Sequence, residues 1–178
     1  MKIRKEKEED FKQIYDVIKI AFSLAEHSDG NEQDLVNNLR KSEAYINELS
    51  LVCEEEGEIV AYIMFTKNKI GKEKGLSLAP LAVLPKYQHR RLGTLLIKQG
   101  LKIAKELGYN YVVVLGSEKY YPKFGFSPSK DLGINSPFKV PSKNFMALSL
   151  HHNKEKLNAT VEYRKEFFEK KKKHIKII

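Results

Sequence analysis

Apolar residues at Phe11, Ile14, Ile18 and Phe22 recur every three or four positions, with Tyr15 and Val17 at the margins. That spacing predicts an amphipathic helix, and Asp10 is placed to cap it. Before it, Lys2 to Lys5 reads as a short strand. Ser28-Asp29-Gly30-Asn31 is turn chemistry, and a second helix follows with Leu35, Val36 and Leu39 on one side. From Leu49 the period changes. Leu49 to Glu54 and Glu58 to Thr66 read as strands joined by Glu55-Glu56-Gly57. After a charged tip from Gly71 to Gly75, Leu76 to Val83 returns as the next strand. Pro80 lies inside that strand and cannot donate to a ladder, so a bulge or interrupted pairing is expected there.

Helical spacing resumes from about Leu92 to Leu107. Leu92, Leu96, Gly100, Ile103, Ala104 and Leu107 form the expected buried stripe, and Gly108 is the C-terminal stop. Tyr111 to Leu115 is a continuous apolar strand. Residues 127–144, rich in Pro, Ser, Asn and Gly, read as a long loop. Phe145 to Leu150 and Leu157 to Tyr163 read as further strands. The order is strand, two helices, three strands, helix, strand, a short helical turn, then strands. It predicts an α/β (α+β) fold, a mixed sheet flanked by helices. The helix at 92–107 is expected to cross over between two parallel strands, 81–84 and 111–115.

Composition narrows the class. The chain has 178 residues, 42% of them apolar, which suits one packed domain. The longest apolar run, Ile59 to Phe65, is far short of the roughly 18 residues of a membrane span. The start Met1-Lys2-Ile3-Arg4-Lys5-Glu6 is charged where a signal peptide would need an apolar segment, and Cys53 is alone, so a cytoplasmic protein without internal disulfides is expected. Of the net charge of +9, five units come from residues 164–178, where seven Lys and Arg residues stand against Glu166 and Glu169. The run Lys170 to Lys173 offers contact for nucleic acid or an acidic surface, and a solvated tail is the plainer reading. The remaining positive excess suits a cofactor rich in phosphate.

The chemistry concentrates between residues 81 and 126. The apolar strand Leu81-Ala82-Val83 runs into Gln88-His89-Arg90-Arg91-Leu92-Gly93, followed by Thr94 at a helix start. Backbone amides there are unpaired and the helix dipole is positive, which favours a pyrophosphate. A basic helix cap without ligand would look the same. Past the next strand, Tyr120-Tyr121-Pro122-Lys123-Phe124-Gly125-Phe126 offers a phenol for proton transfer or a set of core aromatics.

Gln88-His89-Arg90-Arg91-Leu92-Gly93 resembles the acetyl-CoA signature of the GNAT superfamily of N-acetyltransferases, Gln/Arg-x-x-Gly-x-Gly/Ala. Leu81-Ala82-Val83-Leu84-Pro85 is similar to the strand that precedes it. Val112-Val113-Val114-Leu115-Gly116 with Tyr120 to Phe126, and His27-Ser28-Asp29-Gly30-Asn31-Glu32, resemble one branch of small bacterial GNAT enzymes. The resemblance covers most of residues 1–163, which sets a domain of 1–163 and a basic tail of 164–178. It implies a mostly antiparallel sheet with a central splayed pair of parallel strands, and acetyl-CoA (coenzyme A) as cofactor. Leu81, Ala82 and Val83 would pair with its pantetheine arm, and an amide freed by the splay would polarise the thioester carbonyl. Gln88, His89, Arg90, Arg91, Leu92, Gly93 and Thr94 would hold the pyrophosphate.

One position departs from the signature: Arg91 stands where the family has its first glycine. Arg91 either blocks close approach to phosphate or contacts it with its guanidinium. A negative φ, as expected at a helix start, would let its amide donate still. Tyr121, four residues before Gly125, matches the family's tyrosine that protonates the leaving thiolate, with Tyr120 then the core residue. Glu32 is the candidate base for the acceptor amine, His27 and Asp29 are alternatives, and Glu32 could equally serve the first turn of a helix. His151 and His152 read as surface residues, and no metal-ligand spacing occurs.

The expected reaction is acetyl transfer from acetyl-CoA to a primary amine of a small molecule or peptide, by direct attack, with no membrane involved. Family relatives are often homodimers, but no interface is legible. The rival readings are a GNAT fold that binds acyl-CoA without catalysis, use of a longer acyl group, and a basic nucleic-acid-binding module.

Overall fold

In the computed structural model, which describes residues 1–23, 28, 30–152 and 155–168, the alternating segments join into one nine-stranded sheet. In chain order the elements are β1 (Lys2–Lys5), α1 (Phe11–Ser23), α2 (Glu32–Arg40), β2 (Ser50–Glu55), β3 (Glu58–Ile70), β4 (Glu73–Val83), α3 (Leu92–Glu106), β5 (Tyr111–Leu115), β6 (Ser127–Pro128), β7 (Ile134–Asn135), β8 (Phe145–Ser149) and β9 (Ala159–Glu162). The strands lie in the order β1-β2-β3-β4-β5-β8-β6, and β9 pairs with the end of β3 and with β7. β4 and β5 are parallel neighbours joined through α3, and the other pairs among β1, β2, β3, β4, β5, β8 and β6 are antiparallel. Fold class and element order are therefore those expected from the sequence.

Alternation along β3 divides the core. Ala61, Ile63 and Phe65 face α3, packing with Leu92, Leu96, Ile97, Val112 and Val114. Tyr62 and Met64 face the other way, against Ile14, Ile18 and Phe22 of α1 and Val36 and Leu39 of α2. Further along that second face, Ile70 packs with Tyr111, Val113, Phe145 and Val161 in a separate cluster. Three hydrophobic clusters thus hold one sheet: one under α3, and two on the opposite face.

Three local expectations need correction. Asp10 does not cap α1. It closes a 3-10 turn, Glu8–Asp10, that runs straight into the helix. Its carboxylate accepts the Lys7 backbone N–H at 2.8 Å and two N–H groups of Arg4 at 2.6 and 2.9 Å. Those Arg4 hydrogen bonds hold the Asp10 carboxyl below its ordinary range. A charged pair this buried takes the aspartate away from the helix end. In α3 the buried stripe is Leu92, Gly93, Leu96, Ile97, Gly100 and Ala104. Ile103 is only half-buried, and Leu107, the C-cap just past the last helical residue, is 46% exposed. The segment 127–144 is not a featureless loop, since it carries β6, β7 and a 3-10 turn at Ser129–Leu132.

The largest correction concerns the parallel pair. The sequence suggested 81–84 beside 111–115. The observed register is Gly75, Leu76 and Ser77 against Tyr111, Val112 and Val113. Past Ser77, β4 stays bound to β3 through Leu78, Leu81, Ala82 and Val83, and β5 stays bound to β8 through Val114 and Leu115. Neither has a partner on the side facing the other. The cause lies at Ala79–Pro80. Two β4 residues there oppose the single residue Met64 of β3, which is a bulge. Before it, Leu76 and Leu78 face α3; after it, Leu81 and Val83 do. The one-residue insertion switches the faces and bends β4 away from β5.

Candidate active site

The bend leaves a slot through the sheet, walled by the ends of β4 and β5. Leu81, Ala82 and Val83 line its β4 edge with backbone groups that β5 does not use. An extended molecule entering the slot can pair with that edge as a strand would.

At the mouth of the slot, on the α3 face, lies the loop from Gln88 to Arg91 and the first turn of α3. The helix's first i to i+4 bond runs from the Leu95 amide to the Arg91 carbonyl, at 3.0 Å. The amides of Leu92, Gly93 and Thr94 therefore have no partner within the helix. No side chain caps them and no acidic residue stands in the first turn. The helix dipole there is uncompensated, so an anion is favoured. Gly93 is confined as well. A Cβ added there would lie 2.8 Å from the Tyr120 hydroxyl and 3.5 Å from Leu81. The helix start, the β4 edge and the tyrosine turn meet at this glycine.

Arg91 has φ 64° and ψ 15°, the left-handed conformation, not the negative φ expected from the sequence. His89 is left-handed too, at φ 62°. The loop needs two backbone reversals between the 3-10 turn Pro85–Tyr87 and α3, and a non-glycine residue bears strain there. The family's glycine at the Arg91 position thus answers a backbone need that Arg91 meets at a cost. The Arg91 side chain is exposed, as are Gln88, His89 and Arg90. Arg90 is engaged: its guanidinium donates to both carboxylate oxygens of Glu55, at 2.9 and 2.7 Å, and lies 5.2 Å from the Tyr87 ring. That pairing fastens the loop to the end of β2 and holds the Glu55 carboxyl below its usual range.

Tyr121 opens the 3-10 turn Tyr121–Phe124 that follows β5. It is 2% exposed, within the cluster beneath α3, and its ring meets Phe126 edge-on with centroids 5.7 Å apart. Burial pushes its phenol well above the ordinary value, so it stays protonated. Tyr120 is the more accessible of the pair, contrary to its expected core role. Its ring stands edge-on to Tyr121 at 5.3 Å, Lys123 Nζ lies 3.8 Å from its centroid, and its hydroxyl reaches the Thr94 side chain as well as Gly93. Sequence reasoning missed this link between the tyrosine turn and the helix start, because only the fold reveals it.

Glu32 is the first residue of α2, on the opposite face of the sheet from Tyr121. Ser28 Oγ donates to its carboxylate at 2.7 Å. The alternatives His27 and Asp29, and the run Lys170 to Lys173, lie outside the described residues. His151 and His152 are exposed. A cavity of about 940 Å³ opens at the far end of α1 and α2, bordered by Phe11, Tyr15, Arg40 and Tyr45. None of the candidate site residues named from the sequence lines it. In its wall Arg40 pairs with buried Glu6 at 2.7 Å and Tyr45 donates to the same carboxylate at 2.8 Å. Among the described residues no group of three or more His, Cys, Asp and Glu is placed to hold a metal, and no helix is long and apolar enough to cross a membrane.

Residues 11–126 match the model of the acetyltransferase (GNAT) family. The chain is similar to the uncharacterized N-acetyltransferase YjhQ of Escherichia coli K12, 37% identical over 118 residues that cover 64% of this chain and 65% of the relative. It is also similar to the uncharacterized N-acetyltransferase YhbS of the same strain, 33% identical over 97 residues, 53% of this chain and 58% of the relative. The chain thus spans less than two thirds of the length of these curated relatives. Among solved structures, YhbS from Escherichia coli in complex with CoA superposes with a TM-score of 0.82 at 28% identity, covering 94% of this chain and 91% of that one. A GNAT family acetyltransferase from Brucella melitensis in complex with acetyl-CoA gives a TM-score of 0.78 at 30% identity, covering 93% and 97%.

Proposed function

The chain belongs to the acetyltransferase (GNAT) family, and on that premise we propose that it moves an acetyl group from acetyl-CoA to a primary amine of a small molecule or peptide. One observation carries this reading: the slot between β4 and β5 opens beside a helix start whose amides have no cap and no acidic neighbour. The fit to the cofactor rests on that geometry. The amides of Leu92, Gly93 and Thr94 would hold the pyrophosphate, with Arg91 adding charge and His89 an N–H donor from the exposed loop. The β4 edge at Leu81, Ala82 and Val83 would take the pantetheine arm. When bound, acetyl-CoA supplies an activated acetyl group on sulfur.

The protein's own groups then divide the work by face. The slot opens between the two faces of the sheet, and this reading takes one group from each face. Tyr121, from the α3 face, gives a proton to the departing sulfur. Its raised pKa does not bar this, since the same dry surroundings raise the affinity of a thiolate for protons. Backbone N–H groups of β4 beyond Ser77 donate to the thioester oxygen as negative charge develops on it. Glu32, steadied by Ser28, takes the proton from the amine on the other face.

Calorimetric titration with acetyl-CoA, followed by assay of free thiol across a library of amines, tests this reading. Binding and amine-dependent thiol release are expected. Absence of binding at millimolar acetyl-CoA would contradict it, and binding without thiol release from any amine would leave a non-catalytic acyl-CoA binder.

A further inference from the structure

The two strands that wall the slot are held differently once they part. β4 stays tied to β3 as far as Val83. β5 leaves β4 after Val113, and from there its ladder runs to β8, pairing Val114 with Met146 and Leu115 with Phe145. β8 also receives the chain on the far side of the tyrosine turn, where Ser127 and Pro128 of β6 stand opposite Ala147 and Met146. The chain therefore departs from β8 after Leu115, makes the turn Tyr121–Phe124 and returns to β8 at Ser127. The proton donor of the acetyl-transfer reading hangs from β8 and not from β4.

Asn144 stands one residue before β8 and extends that ladder with its side chain. The Gly116 N–H donates to the Asn144 carbonyl at 2.9 Å, and Asn144 Nδ2 donates back to the Gly116 carbonyl at 3.1 Å. One residue thus meets both backbone groups of Gly116. Asn144 Nδ2 also donates to Glu118 Oε2 at 2.8 Å, which uses both donors of the amide. Lys143 Nζ reaches Glu118 Oε1 at 3.0 Å. Lys143 and Asn144 hold the Glu118 carboxyl below its ordinary range, so it stays charged and accepting. Asn144 is 4% exposed, and its own N–H donates to the Pro141 carbonyl at 2.9 Å, so the clamp is buried and fixed at its base.

Between the two clamped residues lies Ser117. Its carbonyl accepts the N–H groups of Tyr120 and Tyr121 at 3.0 and 3.2 Å, and its Oγ accepts the Lys119 N–H at 3.2 Å. A continuous path of hydrogen bonds and peptide links therefore joins the Asn144 amide to the Tyr121 backbone. A shift of Gly116 or Glu118 is carried along it to the phenol, and a displacement of about 1 Å in a reacting group is enough to slow a reaction strongly. We propose that Asn144 is the positioning residue for the proton donor: by holding Gly116 and Glu118, its side-chain amide sets where Tyr121 stands in the wall of the slot. This assignment rests on the acetyl-transfer reading and adds a residue that reading does not use. Asn144 acts through Tyr121 and moves no proton itself.

Asn144→Asp keeps the side-chain shape but sets an acceptor against a carbonyl and a carboxylate. Glu118→Ala cuts one of the two bonds, at a side chain 35% exposed, and decides the matter if Asn144→Asp does not fold. Thiol release is measured with the library amine most active in the parent, acetyl-CoA affinity by calorimetry, and the tyrosine rings by NMR with isotope-labelled tyrosine. In Asn144→Asp kcat is expected to fall about tenfold, and in Glu118→Ala about threefold, with acetyl-CoA affinity within about twofold of the parent. The Tyr121 resonance is expected to move while that of Tyr62, on the opposite face, stays. In a Tyr121→Phe background either clamp variant is expected to cost nothing further, whereas damage unrelated to Tyr121 would multiply the losses. Unchanged kcat, multiplied losses or an unmoved Tyr121 resonance in a folded clamp variant overturns the assignment. Undiminished kcat in Tyr121→Phe alone removes the donor, and this assignment with it, while the acetyl-transfer reading stands. Absence of thiol release from every amine in the parent brings down the acetyl-transfer reading itself.

Discussion

The two faces of the sheet are built to different standards. Under α3 a single regular helix covers one continuous cluster, and the fit is tight enough that a Cβ at Gly100 would press into the Phe65 ring, whose Cζ would be 2.7 Å away. On the other face two clusters stand apart, irregular segments bridge them, and Thr66, Asn68, Gln33 and Glu166 each keep a buried atom without a partner among the described residues. The first face gives up conformational choice to hold a fixed helix start beside the slot. The second tolerates unsatisfied oxygens, each of which costs stability. The regular face and the irregular one thus lie on opposite sides of one bent strand.

Substitutions can break that contrast. The largest effect is expected at Tyr121. Tyr121→Phe keeps the ring in its cluster but removes the proton, so kcat should fall by about 100-fold or more with acetyl-CoA affinity unchanged in calorimetry. An unchanged kcat would remove Tyr121 from the reaction. Next, Gly100→Ala should destabilise the protein by about 2 kcal/mol in chemical denaturation, because the helix cannot retreat from Phe65 without losing its packing. On the other face the sign should reverse. Thr66→Val replaces a hydroxyl that has no partner among the described residues with a methyl group of similar size, so stability should hold or rise by up to about 1 kcal/mol. A loss of stability there would show that Thr66 Oγ1 is satisfied after all. The smallest effect is expected at the loop. Arg91→Gly relieves a left-handed arginine and should add about 1 kcal/mol of stability, with the thermal midpoint rising accordingly. Because the amides around it are retained, acetyl-CoA should still bind.

How much of this could be read from the chain follows the same division. α1, α2, α3 and the strands from β2 to β5 carry clean periodicity, and each lies within a few residues of its expected bounds. Pro80 announced the bulge because a proline cannot serve a central ladder. What it could not announce was the register. The sequence placed 81–84 beside 111–115, whereas the strands pair from Gly75 to Ser77 and then part, since a one-residue insertion shifts everything beyond it without changing local pattern. The backbone of Arg91 was misjudged for a related reason. A helix start implies negative φ, but the reversal into the helix belongs to the loop, and the tertiary position of α3 imposes it. The face opposite α3 was the least legible. Glu166 looked like part of a basic tail, because nothing in its neighbours' periodicity marks a turn held by aromatic contacts to residue 138 and to α2. Such contacts span long stretches of chain and leave no local signature.

The slot and the helix start stand or fall together, and a crystal of the protein grown with acetyl-CoA tests both at once. The expected result is pyrophosphate oxygens within hydrogen-bond distance of the Leu92, Gly93 and Thr94 amides, with the pantetheine arm paired to β4 between Leu81 and Val83. A cofactor bound elsewhere, or β4 and β5 closed against each other along residues 78–83, would contradict it.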